Sequence, residues 1–443
     1  MANQLKDIVG NNATNESAQY DINQEEGKYA QSPVPPEKRK SWLGIAAIYF
    51  GMTASLSAFA TGGALISGLT LMQSIMAAVL GTAILVFLFF IPTGYIGARE
   101  GFNTYIVGEA AFGSKGSNIA TAFIVTIIPC VGWYGVQVSI AADALTEVFG
   151  GNQALTPWLM IFLGILFCLP AMFGVVSMAW LDYLAIPAIL IITIYGFTRV
   201  MNMTGLEGLL NYEPATSQSI VWGGNLMVGS MVVGATFTAD YTRWTKNKLS
   251  HVSYAGIAGN FPPLLILTIV AVMMGISATS IENVNEPWNI AEVMKVLGLP
   301  LISLALVIVM QWSTNITSSY SAGLALTKVF GWSRFWWTLI AAVVGTILSL
   351  LGIMQYFIGF LGILASFVAP AAGVMISEYF FVSKQTLNRK QGFYWPGILS
   401  WFIGGLGAYF IPFFIPAVNG AIIAALIYYL IHAIRSDTNN QAA

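Results

Sequence analysis

Runs of about twenty apolar residues, separated by short polar stretches, repeat along the chain from residue 42 to residue 434. A helix needs about 20 such residues to cross the hydrocarbon core of a bilayer, at about 1.5 Å per residue. Measured against that length, the chain divides into about twelve spans, near 42–67, 70–97, 118–148, 156–178, 180–199, 219–240, 254–278, 298–328, 334–352, 355–382, 394–411 and 415–434. Several exceed a simple crossing, which predicts tilt or a break. The first forty residues are polar, have no cleavable apolar core and end in Pro33, Pro35 and Pro36, the signature of a disordered tail.

Composition agrees with lipid as the solvent. Of 443 residues, 57% are hydrophobic and only 8% charged, against about 25% charged in a soluble domain. A net charge of −1 offers no basic domain for nucleic acid. Cys130 and Cys168 lie in apolar stretches and suggest neither a zinc site nor a disulfide. With Met1 on the inner side, Lys38, Arg39, Lys40, Arg99, Lys115, Arg243, Lys246, Lys248, Lys328, Arg334, Lys384, Arg389, Lys390 and Arg435 all fall inside, and only Arg199 and Lys295 fall outside. That asymmetry predicts twelve spans in a cell membrane with both termini cytoplasmic.

Polar residues in mid-span mark where the helices carry chemistry. Gly51, Thr53, Ser55, Ser57, Thr61, Gly62 and Gly63 crowd the first span, and Gly229, Ser230, Gly234 and Thr236 the sixth. Such interruptions five spans apart point to a midplane site in an inverted-repeat transporter, although small residues also let helices pack closely. The eighth span contains Gln311, Trp312, Ser313, Thr314, Asn315, Thr317, Ser318 and Ser319. Gln311 and Asn315 share one face, which needs a cavity or another helix rather than lipid. The adjacent hydroxyls suit a hard cation such as Na⁺. In the third span, Trp133 and Gln137 stand four residues apart and suit a planar heterocycle. Asp143, Asp182, Asp240, Arg243 and Glu378 lie in or near spans and are functional hypotheses by default. Asp240 and Arg243 are expected to pair, while Asp143 and Asp182 are the groups that would carry protons if coupling used H⁺. An intramembrane enzyme would need a nucleophile with a base or a metal cluster, and a channel a filter of repeated loops or charged rings; the sequence has neither pattern.

These residues resemble the nucleobase–cation symporter-1 family, most closely its cytosine permease branch. The resemblance rests on Ser32-Pro-Val-Pro-Pro-Glu-Lys-Arg-Lys40, Thr61-Gly-Gly63, Val131-Gly-Trp-Tyr-Gly-Val136, Thr236-Phe-Thr-Ala-Asp-Tyr-Thr-Arg243 and Trp312-Ser-Thr-Asn315. It runs collinearly from about residue 32 to the C-terminus. It implies an all-α integral membrane protein with a five-plus-five inverted-repeat core, broken helices one and six, and two peripheral helices. The expected parts are a tail over 1–40, repeats over 41–200 and 219–382, peripheral spans over 393–435, and a tail over 436–443. It further implies a transporter that works as a monomer in lipid, without nucleic acid or resident cofactor, and moves a nucleobase-like solute with Na⁺. The implied substrate set is Trp133, Gln137, Cys130, Ser55, Met231, Asn315 and Ser319. The implied Na⁺ set is the carbonyls of Gly51, Ala54 and Met310 with the hydroxyls of Ser313 and Thr314. Cys130 stands where cytosine permeases place a Gln, and Met231 where the family places an aromatic. Gln137 matches the substrate Gln of the hydantoin branch. A hydantoin, allantoin or hydroxymethylpyrimidine substrate, or H⁺ coupling, is thus the alternative.

Overall fold

The computed structural model describes residue 29 and residues 32–441 apart from 174–178, 283, 285, 300 and 412. Its regular elements are helices, in twelve spans. Span one is split into Trp42–Thr53 and Leu56–Ile66 and bends by 52°. Spans two to seven are Leu71–Glu100, Ser114–Val148, Thr156–Phe173, Ala179–Met203, Ile220–Thr242 and Leu249–Ile281. Spans eight to twelve are Leu301–Phe330, Arg334–Leu350, Ile353–Val382, Trp395–Phe410 and Pro416–Gln441. The last helix continues to Gln441, past the predicted end of span twelve.

Two groups of helices form the core. Spans one, two, six and seven pack on one another, and spans three, four, eight and nine make the second group. Span five lies against seven and eight, while span ten joins span six to spans eleven and twelve. Glycines permit the closest approaches. A Cβ at Gly229 would run into the Leu361 carbonyl of span ten, and one at Gly62 would meet Thr268 and Ala271 of span seven. For these glycines, close packing is the physical reason. The glycine-rich stretch of span six is therefore unbroken helix through Thr236, and the interruption falls one turn later, at Phe237–Thr238.

Residues 1–28, 30 and 31 of the predicted tail lie outside the described residues, but Ser32–Lys40 are not a free tail. Val34 is fully buried and its N–H donates to Gly101 O at 3.0 Å. Arg39 donates to the carbonyls of Val34 (2.9 Å) and Ala98 (2.5 Å), the latter at the C-terminal end of span two. There a cation complements the helix dipole. Lys40 pairs backbone with Trp244 and Lys246. The proline-rich composition reads as disorder only until these carbonyl partners are counted.

The charged residues in the spans also have structural partners. Asp240 accepts from Thr104 N at 2.7 Å and so caps a neighbouring helix. Arg243 stands near enough for its charge to act on Asp240 and donates to two carbonyls, Asp240 O (3.1 Å) and Tyr29 O (2.8 Å). Glu378, almost fully buried, takes Lys390 at 2.8 Å, Tyr428 Oη at 2.6 Å and Ser383 Oγ at 2.6 Å. Burial lowers the Lys390 ammonium from its usual range, and Glu378 partly restores it. The side chain of Asp182 lies outside the described residues. Removing one partner of a buried ion pair leaves an uncompensated charge and costs about 3–5 kcal/mol. Lys390→Met should lower stability by about that amount, read from denaturant or thermal unfolding in detergent, whereas Lys384→Met, on an exposed turn, should leave it unchanged.

Candidate functional site

The break in span one sets the geometry of the site. Ala54 (φ −76°, ψ 59°) leaves the helical path and Ser55 (φ −126°, ψ 163°) is extended before the second half begins. The last carbonyls of a helix have no intrahelical partner, and they carry the negative end of its dipole. Gly51 and Ala54 belong to that last turn. A Cβ at Gly51 would touch nothing within 4 Å, so its backbone borders open space. Ser55 Oγ is paired with Ser57 Oγ at 2.6 Å.

Side chains brace both breaks. The Tyr49 hydroxyl pairs with the Thr238 hydroxyl, which joins span one directly to the break in span six. Thr53 Oγ1 donates to Gly259 O of span seven at 3.1 Å, and Thr93 Oγ1 of span two donates to Ala235 O at 2.7 Å, just before the span-six break.

Span eight runs past span three and touches the second half of span one. Thr314 Oγ1 donates to Met310 O at 3.0 Å, so two of the five expected cation-binding oxygens are adjacent. Ser313 and Thr314 are half-buried on that face. These oxygens come from carbonyls and hydroxyls alone, and among the described residues no group of three His, Cys, Asp or Glu could hold a metal.

Next to this face lies a cluster of buried amides. Asn315 is fully buried; its Nδ2 reaches Tyr134 O of span three at 3.4 Å, and its Oδ1 has no partner. Gln137 Oε1 and Gln311 Nε2 are likewise buried without a partner. An unsatisfied buried polar atom costs about 1–3 kcal/mol, so these amides are candidates to meet a ligand or a water. Trp133 is buried one turn from Gln137, with Phe357 and Phe360 of span ten edge-on to its ring at 5.9 and 5.6 Å. Met231 belongs to the same apolar cluster as Trp133.

One expected substrate residue stands apart, and another back-bonds to its own helix as Thr314 does. Cys130 packs with Ala322, Ala325 and Leu326 of span eight and Ala341 of span nine, a cluster separate from that of Trp133. The Ser319 hydroxyl is closed on its own helix, donating to Asn315 O and Ile316 O at 3.0 and 3.1 Å. Conversely, Phe357 and Phe360 went unnoticed in the sequence, where two aromatics at the start of an apolar span look like any others.

The segment between spans seven and eight packs against spans one, three and ten. Its Trp288 Nε1 donates to Met354 O at 3.0 Å, and Asn289 Nδ2 donates to Asp143 Oδ2 at 2.6 Å. Lys295 pairs with Glu147 at 2.9 Å, and a Cβ at Gly63 would strike the Pro287 carbonyl. Asp143 therefore docks this segment. Burial raises the carboxyls of Glu286 and Glu292 above the usual range, and repulsion from Asp143 and from Glu286, respectively, adds to the shift.

A twelve-helix bundle, broken beside a buried amide and aromatic cluster, defines a membrane permease. Residues 33–405 match the family described as permease for cytosine/purines, uracil, thiamine, allantoin, and the chain belongs to it. It is 27% identical to the cytosine permease of Escherichia coli K12, over 93% of this chain and 95% of that one. It is 26% identical to the hydantoin permease of Microbacterium maritypicum, over 84% and 79% of the two chains. Its fold is that of Mhp1 in the inward-facing conformation (TM-score 0.78, 20% identity, 92% of this chain and 95% of that one). The closed form of that nucleobase-cation-symport-1 transporter, with bromovinylhydantoin bound, gives a TM-score of 0.73 at 20% identity, covering 92% and 96% of the chains. The relatives are transporters, not enzymes, and the inverted-repeat fold expected from the sequence is the fold observed.

Tyr49→Phe removes the hydroxyl that ties span one to the span-six break and leaves Thr238 without that partner. The expected loss is about 1–3 kcal/mol of stability, visible as a lower melting temperature in detergent; an unchanged melting temperature would mean that the two breaks are not coupled through this contact.

Proposed function

We propose that this permease is a secondary active transporter that imports a planar heterocycle, cytosine or another pyrimidine or purine, by Na⁺ symport through alternating access. The observation that carries this reading is the meeting of the two halves of the site on span eight. On span eight, Thr314 Oγ1 donates to Met310 O, the helix touches the second half of span one, and the Asn315 amide reaches Tyr134 O of span three, the span that carries Trp133 and Gln137. In this reading Trp133 stacks on the ring, Gln137 and Asn315 hydrogen-bond its edge, and Met231 covers the other face through soft sulfur contact. Na⁺ sits between the carbonyls of Gly51, Ala54 and Met310 and the hydroxyls of Ser313 and Thr314. Binding the ion fixes span eight against span one and pre-forms the pocket; substrate must then raise Na⁺ affinity by the same factor.

Gln137 favours a second reading, a hydantoin- or allantoin-like substrate, and the hydantoin permease is among the relatives. H⁺ coupling, with Asp143 and Asp182 as the candidate carriers, is the alternative; of these, Asp143 accepts a hydrogen bond from Asn289. The arginine and lysine asymmetry supports a plasma-membrane location with both termini cytoplasmic, and the protein is expected to act as a monomer.

A thermal-shift screen of the purified protein against nucleobases, hydantoins and hydroxymethylpyrimidine, with and without Na⁺, tests the substrate class. A ligand that binds only the folded state raises its melting temperature with occupancy. Stabilisation by a planar heterocycle only in Na⁺ is the expected outcome, and stabilisation unaffected by Na⁺ argues against symport with that ion. Thr314→Ala should abolish Na⁺-dependent uptake into proteoliposomes while leaving the fold intact. Trp133→Ala should weaken substrate binding by about 1–3 kcal/mol, the usual value of stacking a base on an aromatic; unchanged affinity would remove Trp133 from the pocket.

A further inference from the structure

Spans three and eight run antiparallel. Glu147, at the end of span three, pairs with Lys295 just before span eight, and Lys328 at the end of span eight lies 4.5 Å over the Tyr105 ring, before span three. Their register is set by the contact of Asn315 Nδ2 with Tyr134 O. One turn back along span eight is Gln311, and one turn forward along span three is Val138, the neighbour of Gln137. Packing agrees, because Ile308 and Trp312, which flank Gln311, lie against the cluster containing Tyr134 and Val138. Near this depth span eight carries a buried amide donor without a partner, Gln311 Nε2, and span three a buried amide acceptor without a partner, Gln137 Oε1. Gln311 is 1% exposed and Gln137 4% exposed. Each group supplies what the other lacks, and both side chains are long enough to meet by a change of rotamer.

We infer that Gln311 is a positioning residue: its amide N–H donates to Gln137 Oε1 across the span three–span eight interface and fixes which end of the Gln137 amide the substrate meets. The inference rests on the reading of Gln137 as a substrate residue. With its oxygen held by Gln311, Gln137 presents its NH₂ group to the pocket and selects a ring edge with an acceptor there, a carbonyl rather than an amino group. Asn315, whose Nδ2 is engaged by Tyr134, presents its oxygen and selects a ring N–H. The pocket thus recognises a carbonyl beside an N–H, as in a cyclic ureide. Gln311 sets the sense of that recognition without touching the ligand.

Two measurements on the full chain test this separately. The first needs no substrate. Melting temperatures are compared for the parent, Gln137→Met, Gln311→Met and the double variant. If the amides pair, each single variant strands a buried group and melts below the parent, while the double variant strands neither and melts above both singles. Losses that simply add would overturn the pairing. The second reads the ratio of KM values for uracil and cytosine, which differ on one edge: a carbonyl beside a ring N–H in uracil, an amino group beside a bare ring nitrogen in cytosine. Gln311→Met removes the donor that holds the Gln137 oxygen, so Gln137 is free to turn its oxygen to the pocket and accept from an amino group. The preference should shift towards cytosine by about tenfold or more, with kcat little changed. An equal change for both compounds would overturn the positioning role. If the parent transports neither compound, the substrate reading fails, and the melting series still decides whether the two amides pair.

Discussion

Everything in this fold depends on one constraint: inside a bilayer a backbone N–H or C=O must find a partner within the protein or face water, because lipid offers none. A helix can be interrupted only where something else meets the freed groups. The chain interrupts span one at Ala54–Ser55 and span six at Phe237–Thr238, and surrounds both places with hydroxyl donors aimed at carbonyls. Thr53 serves Gly259, Thr93 serves Ala235, and the Tyr49 and Thr238 hydroxyls serve each other. What remains unserved is the carbonyl end of the first half of span one and the amides of spans three and eight, where the proposed function puts a polar solute and a cation. The site is a local exception to backbone satisfaction, held in place by satisfaction on every side.

Much of this was legible in the sequence because the underlying rules are one-dimensional. Twelve crossings follow from run length, and the polar faces of spans three and eight follow from the four-residue spacing of Trp133 with Gln137 and of Gln311 with Asn315. Other features depend on partners remote in sequence. Glycine in span one could mean a break or a close contact, and only the neighbours decide: Gly51 borders open space, whereas Gly62 and Gly63 are filled by span seven and by Pro287. In span six the glycines marked packing, and the break followed them. Cys130 lies one turn before Trp133, and helical spacing alone would put it in the same pocket. The packing of spans eight and nine draws it into another cluster. The buried charges were ambiguous for the same reason. Asp143 and Glu378 are costly to bury in isolation, and their partners Asn289, Lys390 and Tyr428 come from distant segments.

The distribution of these contacts says which parts move together. The segment Ser32–Lys40 is bonded to the ends of spans two and six, so it belongs with the group of spans one, two, six and seven. The segment between spans seven and eight reaches Asp143 of span three, Met354 of span ten and Gly63 of span one. It therefore bridges the two groups on the side away from the N-terminal segment. Any motion that parts the groups there must first break a hydrogen bond from Asn289 and another from Trp288, each with a net value of about 1 kcal/mol and more where the carboxylate is involved. A few such contacts are the right size for a closure that opens reversibly, because the two states then differ by only a few kcal/mol.

Span eight has a different place in that scheme. Met310 and Thr314 share one of its faces and Gln311 and Asn315 the adjacent one, from which Asn315 reaches span three. A ligand on either face restrains the same helix, and two ligands that restrain one helix must assist each other. No side-chain relay between them is needed, since the coupling lies in the rigidity of the helix that both grip. The strength of that coupling then depends on how firmly span eight is seated on span three. Asn315 against the Tyr134 carbonyl, and Ile308 and Trp312 within the Tyr134–Val138 cluster, are the contacts that seat it. In the proposed reading, the residues that read the solute and those that hold the ion are thus inseparable in mechanism, although no side chain belongs to both sets.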